Sequence, residues 1–498
     1  MPGWRSSSPR DPCPKEESRL KLRALLIAVI VVGAFPAISA IAEPPVCPTV
    51  DAPELSFEEP KYIDRQRAGG EPVSVVAQDG SIIVSAHAGT THIYKNPDAA
   101  PGARDFLVGY TNQTLHWRSI DGGENWEYIG LFGQREGPHS PSSTGFSDPD
   151  LTMDTGGRIY DVEIDLANIA TFSSTDDGQS FPFANPMSAT ADRPWIAGLG
   201  PDEIVLYVQN VLPSFWYSTT GGITWSKLPN APIHGKPIAD PINPTEGLIA
   251  PKGSLGEFAI SSNHGMEWET KEMGKIGGSS EFFGTVAADR AGNVYQGAAN
   301  GYSSNSDTTA DGSVSFTYYE RANGNVNEEM INIPIPQGDA MWPWITAGDD
   351  GRVAMTWYQN LKGAPKDFYI YTAYTNNAHG TTVTCSDGST KFIEPQFTVV
   401  NASQRPIHHG QICLDGTRCN ADPDFEGGDR RLGDFFTINF DSKGDIFMVS
   451  ADTMLKNPLG GPKPVGNPIF IKQSGGDPIL ETPDATRKTR CLWPLPSC

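Results

Sequence analysis

Between Glu71 and about residue 475 the chain alternates short apolar runs with clusters of turn-forming residues. Residues 73–85, 204–208, 353–358 and 435–450 are typical: rich in β-branched and aromatic side chains and bounded by Gly, Asp or Asn. This spacing predicts strands. Past the N-terminal apolar run, no segment keeps a helical period long enough to bury a face. Residues 161–170 come nearest, yet they are too few and their flanks read as strand. The 52 glycines and 42 prolines are spread along the chain, which disfavours a helical bundle. They follow no G-x-y period, which excludes a collagen-like helix.

A repeat organises the strands. The pattern S-x-D-x-G-x-x-[WF] occurs at Ser119, Asp121, Gly123 and Trp126, and again at Ser174, Asp176, Gly178 and Phe181. A third copy has Thr in the acidic place (Ser218, Thr220, Gly222, Trp225) and a fourth has Asn (Ser261, Asn263, Gly265, Trp268). Successive copies start 55, 44 and 43 residues apart, the length of a four-stranded propeller blade. The residue types suit a hairpin turn. Asp accepts backbone N–H groups, Gly takes φ > 0, and the aromatic ring returns to the space between sheets.

A looser repeat covers more of the chain: an acidic residue, an apolar strand, a turn containing Gly, and often a second strand. Its starts are Glu71, Asp148 or Asp150, Asp192, Asp240, Glu281, Asp339 and Asp434. Seven starts predict an all-β, seven-bladed β-propeller with four-stranded antiparallel blades. Six blades is the alternative, should the poor Asp240 unit be a distortion or the two chain ends share a blade.

The four turns resemble the Asp-box (BNR) repeat of the sialidase-like β-propellers. They span residues 119–268, and the blade starts extend the resemblance from 71 to about 475. It implies the propeller and a range of functions: sialidases, other glycoside hydrolases, polysaccharide lyases and non-catalytic receptors. At the residue level the chain departs from the sialidases. Their first blade carries an arginine in an F/Y-R-I-P segment, where this chain reads Gly70-Glu71-Pro72-Val73. Of the three arginines that hold a sialate carboxylate, the blade starts offer only Arg193, Arg430 and Arg431, the last two adjacent. The full arginine triad is therefore absent, and sialic acid is not implied as the substrate. Arg352 lies past a turn glycine and is expected to face away from the mouth.

The expected organisation is an export signal (1–42), an N-terminal strap (43–70), the propeller (71–475) with an insertion at about 381–433, and a C-terminal tail (476–498) fastened by a disulfide. Arg19, Lys21 and Arg23 precede an uncharged run over 24–42 that ends Ser39-Ala40-Ile41-Ala42, the pattern of a signal peptide cleaved before Glu43. The same run is nearly long enough to remain as an anchor. A secreted or extracytoplasmic location is expected, periplasmic or at the cell surface, with membrane contact only if the segment stays uncleaved. Cleavage removes Cys13 and leaves an even number of cysteines. Cys413 with Cys419 and Cys491 with Cys498 would close short loops, leaving Cys47 for Cys385. No C-x-x-C occurs and His408-His409 lacks a partner pair, so zinc is not supported. A formal charge of −22 without a basic stripe excludes a nucleic-acid partner.

In a propeller the innermost strands begin around one mouth of the central channel, so the acidic starts would form a ring. Crowded carboxylates raise one another's pKa. Such a ring could hold a proton for general acid catalysis, bind Ca²⁺, or attract a cationic or hydroxyl-rich ligand. Alternatively, each acid caps the loop before its own strand. No motif requires a cofactor. The candidate catalytic residues are Asp150, Asp192, Arg193, Glu281, Asp339 and Arg431. Arg193, in Asp192-Arg193-Pro194-Trp195, suits an anion clamp or a partner for the acids. Met341-Trp342-Pro343-Trp344 repeats the Pro-Trp pair, for sugar stacking or for packing between blades. Arg431, in Asp429-Arg430-Arg431, offers a second clamp. His87, His264, His408 and His409 are candidate bases for lyase chemistry. Glycoside hydrolysis needs two carboxylates about 5 Å apart for retention, or roughly 6.5–9.5 Å for inversion; a ring supplies such pairs without selecting one. There is no G-x-S-x-G, P-loop or H-E-x-x-H.

Two functions fit. One is an exported glycan-active enzyme, a sialidase-like hydrolase not tied to sialic acid, with lyase action as a variant. The other is a secreted or surface propeller that binds a glycan, polysaccharide or protein without chemistry. A deep pocket gathering carboxylates, Arg193 and a His or Tyr would favour the first. A mouth where every acid caps a backbone would favour the second.

Overall fold

The computed structural model describes residues 45–482, apart from 96–103, 107–113, 130–146, 166–167, 188–191, 210–212, 253–255, 275–282, 304–311, 328, 417–418, 420–427 and 456–463. The expected export signal, the Cys491–Cys498 pair and Glu281 lie outside the described residues.

Seven antiparallel sheets follow one another along the chain. The first runs, from its inner edge outward, Gly70–Val76, Ile82–His87, Thr114–Ser119 and Glu127–Tyr128. The second is Ser147–Met153, Ile159–Asp165, Asn168–Ser174 and Phe183–Met187, and the third is Pro194–Gly198, Ile204–Val208, Ser214–Ser218 and Ser226–Lys227. The fourth is Ile238–Ala239, Leu248–Pro251, Glu257–Ser261 and Glu269–Glu272. In the fifth, Val286–Ala288, Val294–Asn300 and Ser313–Glu320 lead to the short Asn325–Val326 and Ile331–Ile333. The sixth is Ala340–Ala347, Val353–Leu361, Ala364–Thr375 and Thr398–Asn401. The seventh takes Thr437–Phe440, Ile446–Asp452 and Asn467–Gly476 from the end of the chain, and Leu55–Phe57 from its beginning. This is a seven-bladed β-propeller. The two chain ends do share a blade, as the six-bladed alternative supposed, yet seven sheets result. The described residues include a 3-10 turn at Thr90–His92, and among them no helix is long and apolar enough to cross a membrane.

Two elements fall where the hydrophobic pattern did not place them. The stretch before the first blade supplies the outer strand of the last one, with Leu55 opposite Gly476 and Tyr62 opposite Ile469. The sixth blade's outer strand, Thr398–Asn401, lies inside the segment expected as an insertion. The strand Ala364–Thr375 is long enough to pair with Thr398–Asn401 through one half and with His408–His409 through the other. Cys47 is joined to Cys385, which lies between the hairpin strands Thr381–Thr384 and Thr390–Ile393, and Cys413 is joined to Cys419.

The four repeated turns close on hydrogen bonds four residues apart. In each, the backbone N–H of the glycine donates to the serine hydroxyl: Gly123 to Ser119 (2.9 Å), Gly178 to Ser174 (2.9 Å), Gly222 to Ser218 (3.1 Å) and Gly265 to Ser261 (2.9 Å). The Asp, Thr or Asn side chain accepts the next free N–H, as Asp121 does from Asn125 at 2.9 Å. The indole N–H of Trp126, Trp225 and Trp268 donates back to the glycine carbonyl. Glycine is required twice over at position 123. Its φ is +95°, and a Cβ would overlap the Phe470 ring of the seventh blade.

The faces of the first sheet differ. Toward the seventh blade, Val84, Ala86, Leu115 and Trp117 pack with Phe447, Val449 and Phe470. The alternate residues Ser85, His87, Thr114 and His116 are buried and polar, and His116 Nε2 meets Asp161 of the second blade at 3.1 Å. The C-terminal segment crosses the turns of the seventh and sixth blades: Ile479 donates to Gly444 O (2.9 Å) and accepts from Asp349 N (3.1 Å).

Candidate functional site at the blade starts

Four inner strands open on a residue followed by proline: Glu71-Pro72, Asp148-Pro149, Arg193-Pro194 and Trp342-Pro343. Each residue before the proline has positive φ, at 52°, 50°, 50° and 51°. That conformation is uncommon outside glycine and costs on the order of 1 kcal/mol or more at each site. In the first, second and sixth blades it coincides with a register shift against the second strand. The positively charged and acidic members of this set meet at the mouth.

Glu71 is the buried centre. Its carboxylate lies 2.7 Å from His87 Nε2 and accepts the backbone N–H of Asp434 (2.9 Å) and of Asp148 (3.3 Å). Arg430 Nη2 lies 3.6 Å away. Burial alone would raise this carboxyl, but His87 and then Arg430 outweigh it and hold its pKa down at about 2. Asp148 behaves oppositely. Burial and then the charge of Glu71 push it well above the usual carboxylate range, with Arg193 only partly offsetting them. Asp148 accepts the backbone N–H of Arg193 (3.0 Å) and the Ser147 hydroxyl. These two neighbouring buried acids are therefore shifted in opposite directions.

The open end of the cluster is Asp192 and Arg193. The Arg193 guanidinium reaches Asp192 (3.1 Å) and Asp434 (3.5 Å) and lies 5.9 Å from the centre of the Phe283 ring. Arg430 pairs with the other oxygen of Asp434. The side chains of Asp434 and Arg193 are 9% and 17% exposed, that of Asp192 54%. Burial raises the Asp192 pKa; Arg193 opposes it, while Asp434 and Glu71 add to it.

The remaining sequence candidates do not converge here. Asp150 lies on the channel wall, accepting the N–H of Ile196 (2.9 Å) and paired with Lys236. Asp339 is buried against Asn360, whose Nδ2 lies 3.2 Å away. Arg431 is buried on Asp429 (2.7 Å) and the Thr453 carbonyl (3.4 Å). Asp240 is not a blade start: it follows the two-residue inner strand Ile238–Ala239 and binds Arg321 at 2.7 Å. With so short an inner strand, the acid at its far end was the nearest match to the repeat. Of the histidines, His87 is committed to Glu71, His264 sits in a turn 3.5 Å from Glu203, His408 is buried on the Thr453 hydroxyl (2.8 Å), and exposed His409 binds Asp367 at 2.6 Å. Arg352 binds Pro478 O and Glu481 in the C-terminal segment. Sequence reasoning placed Glu71 and Asp434 in the acidic ring, Asp148 as an alternative start and Arg430 among the blade-start arginines, but of these six residues carried only Asp192 and Arg193 into the catalytic set. The signal that would have found Glu71 and Asp148 is the residue-before-proline at each start.

The acids also tie blades together. Along the second blade's inner strand, Asp148, Asp150, Thr152 and the following Asp154 accept backbone N–H groups of Arg193, Ile196, Gly198 and Asp202 in turn, at 2.8–3.1 Å. Below the mouth, Trp195, Phe283, Trp344 and Phe435 form an aromatic quartet with centroids 4.9–6.2 Å apart. Elsewhere, Asp289, Asp350 and His379 of the fifth and sixth blades place ligand atoms close enough to hold a metal ion such as Ca²⁺. The Asp289 carboxylate there already accepts from Asn293 N, Gly351 N and the Tyr295 hydroxyl.

No family model and no curated protein matches the chain. Among solved structures it is similar to a protein of unknown function from Dyadobacter fermentans (14% identity, 65% of this chain and 99% of that one, TM-score 0.40). It is also similar to a xyloglucanase from Xanthomonas campestris (11%, 82% and 55%, TM-score 0.44) and to an intramolecular trans-sialidase from Ruminococcus gnavus (11%, 83% and 95%, TM-score 0.38). At such identities and TM-scores these likenesses carry no inference about activity.

Proposed function

We propose that the protein is an exported, glycan-active propeller enzyme of the hydrolase type, working at the blade-start mouth without a required cofactor. The observation that carries this reading is that one guanidinium, Arg193, bridges Asp434 and the exposed Asp192, next to the buried acids Glu71 and Asp148, whose pKa values are shifted in opposite directions. Asp192, raised and exposed, gives its proton to the leaving oxygen as the glycosidic C–O bond breaks. Asp434, fixed by Arg193 and Arg430, takes a proton from the attacking water. Arg193 presents a planar donor fork to a substrate oxygen. Asp148 is a positioning residue, since it holds the Arg193 backbone. The two disulfides support an oxidising compartment and, with the N-terminal pattern, secretion. The four turns support kinship with the sialidase-like propellers. Burial of Arg430 and Arg431 argues against a sialate-binding triad.

The test is release of reducing ends from a panel of neutral, uronate-containing and sialylated glycans by the mature protein. Release is expected, and Asp192→Asn should lower it by about 10²–10⁴-fold. A second reading is a binding propeller for glycan or protein. It is favoured by Glu71, Asp148 and Asp150 each accepting a neighbouring blade's N–H. Retention on a glycan array with no release from any glycan would select it.

A further inference from the structure

On the rim, between the fifth blade and the hairpin of Thr381–Thr384 and Thr390–Ile393, lies a groove of about 700 Å³. That volume is within the range of small-ligand pockets. One wall is the outer edge of the fifth blade, the strands Asn325–Val326 and Ile331–Ile333, with Tyr318 behind them. The other wall is Phe392 of the hairpin and Glu394 just past it. Both walls are held. Cys385 ties the hairpin to Cys47, and Asn377 Oδ1 accepts the N–H of Gln396 at 3.0 Å. Asn327 Oδ1 accepts from the Thr317 hydroxyl (2.7 Å) and the Tyr318 N–H (2.9 Å), and its Nδ2 donates to Glu329 O (2.8 Å).

The groups that line it are exposed rather than turned into the core. Phe392 is 49% exposed, and its ring lies against Gly380, where φ is +72° and a Cβ would overlap it. Glu329, Asn332 and Glu394 are exposed as well. Among the described residues none of these three side chains has a hydrogen bond or an ion pair, whereas each acid of the mouth has a partner. An ionised carboxylate accepts through both oxygens, and an amide both accepts and donates. Neighbouring hydroxyls of a sugar supply such donors in pairs, and the C–H face of the sugar packs on an aromatic ring. A simple cation would use the carboxylates and leave Phe392 and Asn332 idle. A basic peptide would be drawn by charge, yet two acids among eleven lining residues give a polybasic chain little to hold.

We propose that this rim groove is a binding site for a neutral oligosaccharide, separate from the mouth at the blade starts. One sugar ring lies on Phe392. Its hydroxyls donate to Glu329 and Glu394 and exchange hydrogen bonds with the Asn332 amide. No bond is made or broken there, and the proposal does not depend on chemistry at the mouth.

The experiment is calorimetric titration of the mature protein with cellotetraose, maltotetraose and N-acetylchitotetraose, with a Lys/Arg-rich octapeptide as the comparison. At least one tetrasaccharide should saturate a site that Asp192→Asn leaves unchanged and that Phe392→Ala weakens by at least about 10-fold. The double change Glu329→Gln with Glu394→Gln should weaken it likewise, and it replaces Phe392→Ala if that variant fails to fold. Binding lost in Asp192→Asn but kept in Phe392→Ala would put the sugar at the mouth and overturn the proposal. So would tighter binding of the peptide than of every tetrasaccharide, or no saturable binding of any tetrasaccharide up to about 10 mM.

Discussion

Glu71 and Asp148 have opposite consequences for stability. Glu71 titrates below its unfolded value of about 4.3, so its contribution is complete above that pH and disappears as pH falls through about 2. Asp148 keeps a proton that the unfolded chain gives up near pH 3.9, so its burial costs stability progressively as pH rises from there. Asp148→Asn keeps an acceptor for the Arg193 N–H without the titration. It should raise the denaturant midpoint at pH 7 and leave it nearly unchanged at pH 3; equal shifts at both pH values would contradict a raised Asp148 pKa. Glu71→Gln should lower stability at pH 7 by about 1–3 kcal/mol, because His87 and the backbone N–H groups of Asp434 and Asp148 lose the carboxylate they meet, while Arg430 keeps Asp434. Gly123→Ala combines positive φ with overlap on Phe470 and should cost about 2–3 kcal/mol, read as a midpoint shift at constant m. The turn residues were legible in the sequence because their partners lie four positions away. Glu71 was legible as a blade start but not as the centre of the cluster, because the backbone groups it accepts lie 77 and 363 residues along the chain.

The strands divide along similar lines. Inner and second strands bury both faces, so their apolar runs announce themselves; Ile204–Val208 is buried throughout. Outer strands bury little. Ser226–Lys227 is exposed and Glu269–Glu272 nearly so, and no hydrophobic pattern marks them. The same weakness hid Thr398–Asn401 within an apparent insertion and Leu55–Phe57 within an apparent strap. The disulfides give a test at this scale. Cys47–Cys385 spans 338 residues and Cys413–Cys419 only 6. In the chain-entropy limit the first contributes about 6 kcal/mol and the second about 2. Cys385→Ser should therefore lower the thermal midpoint more than Cys419→Ser does.

Over the whole molecule, the aromatic quartet separates a charged mouth from a channel cavity whose lining carries only the paired Asp150 and Lys236 as charges. Trp195 touches the other three rings and lies at the junction. Trp195→Ala should cost about 3–5 kcal/mol and join the two compartments, measured as lost stability together with dye entry into the channel. The closed ring itself was readable, since one repeat at blade length leaves few other ways to bury its sheets. The composition of the mouth was not. The acidic-start rule placed candidates around the ring, but pairing with Lys236, Asn360 and Asp429 draws Asp150, Asp339 and Arg431 to separate places.

Ser56 reaches Ser474 across 418 residues, so the first of the described strands is matched by the last of them. A nascent chain can stack six sheets while this pair is still incomplete. Until translation ends, the seventh sheet lacks its rim and an unsatisfied edge faces solvent, open to other chains. Premature termination before Ile469 would remove every partner of these early strands and leave that ring unlatched.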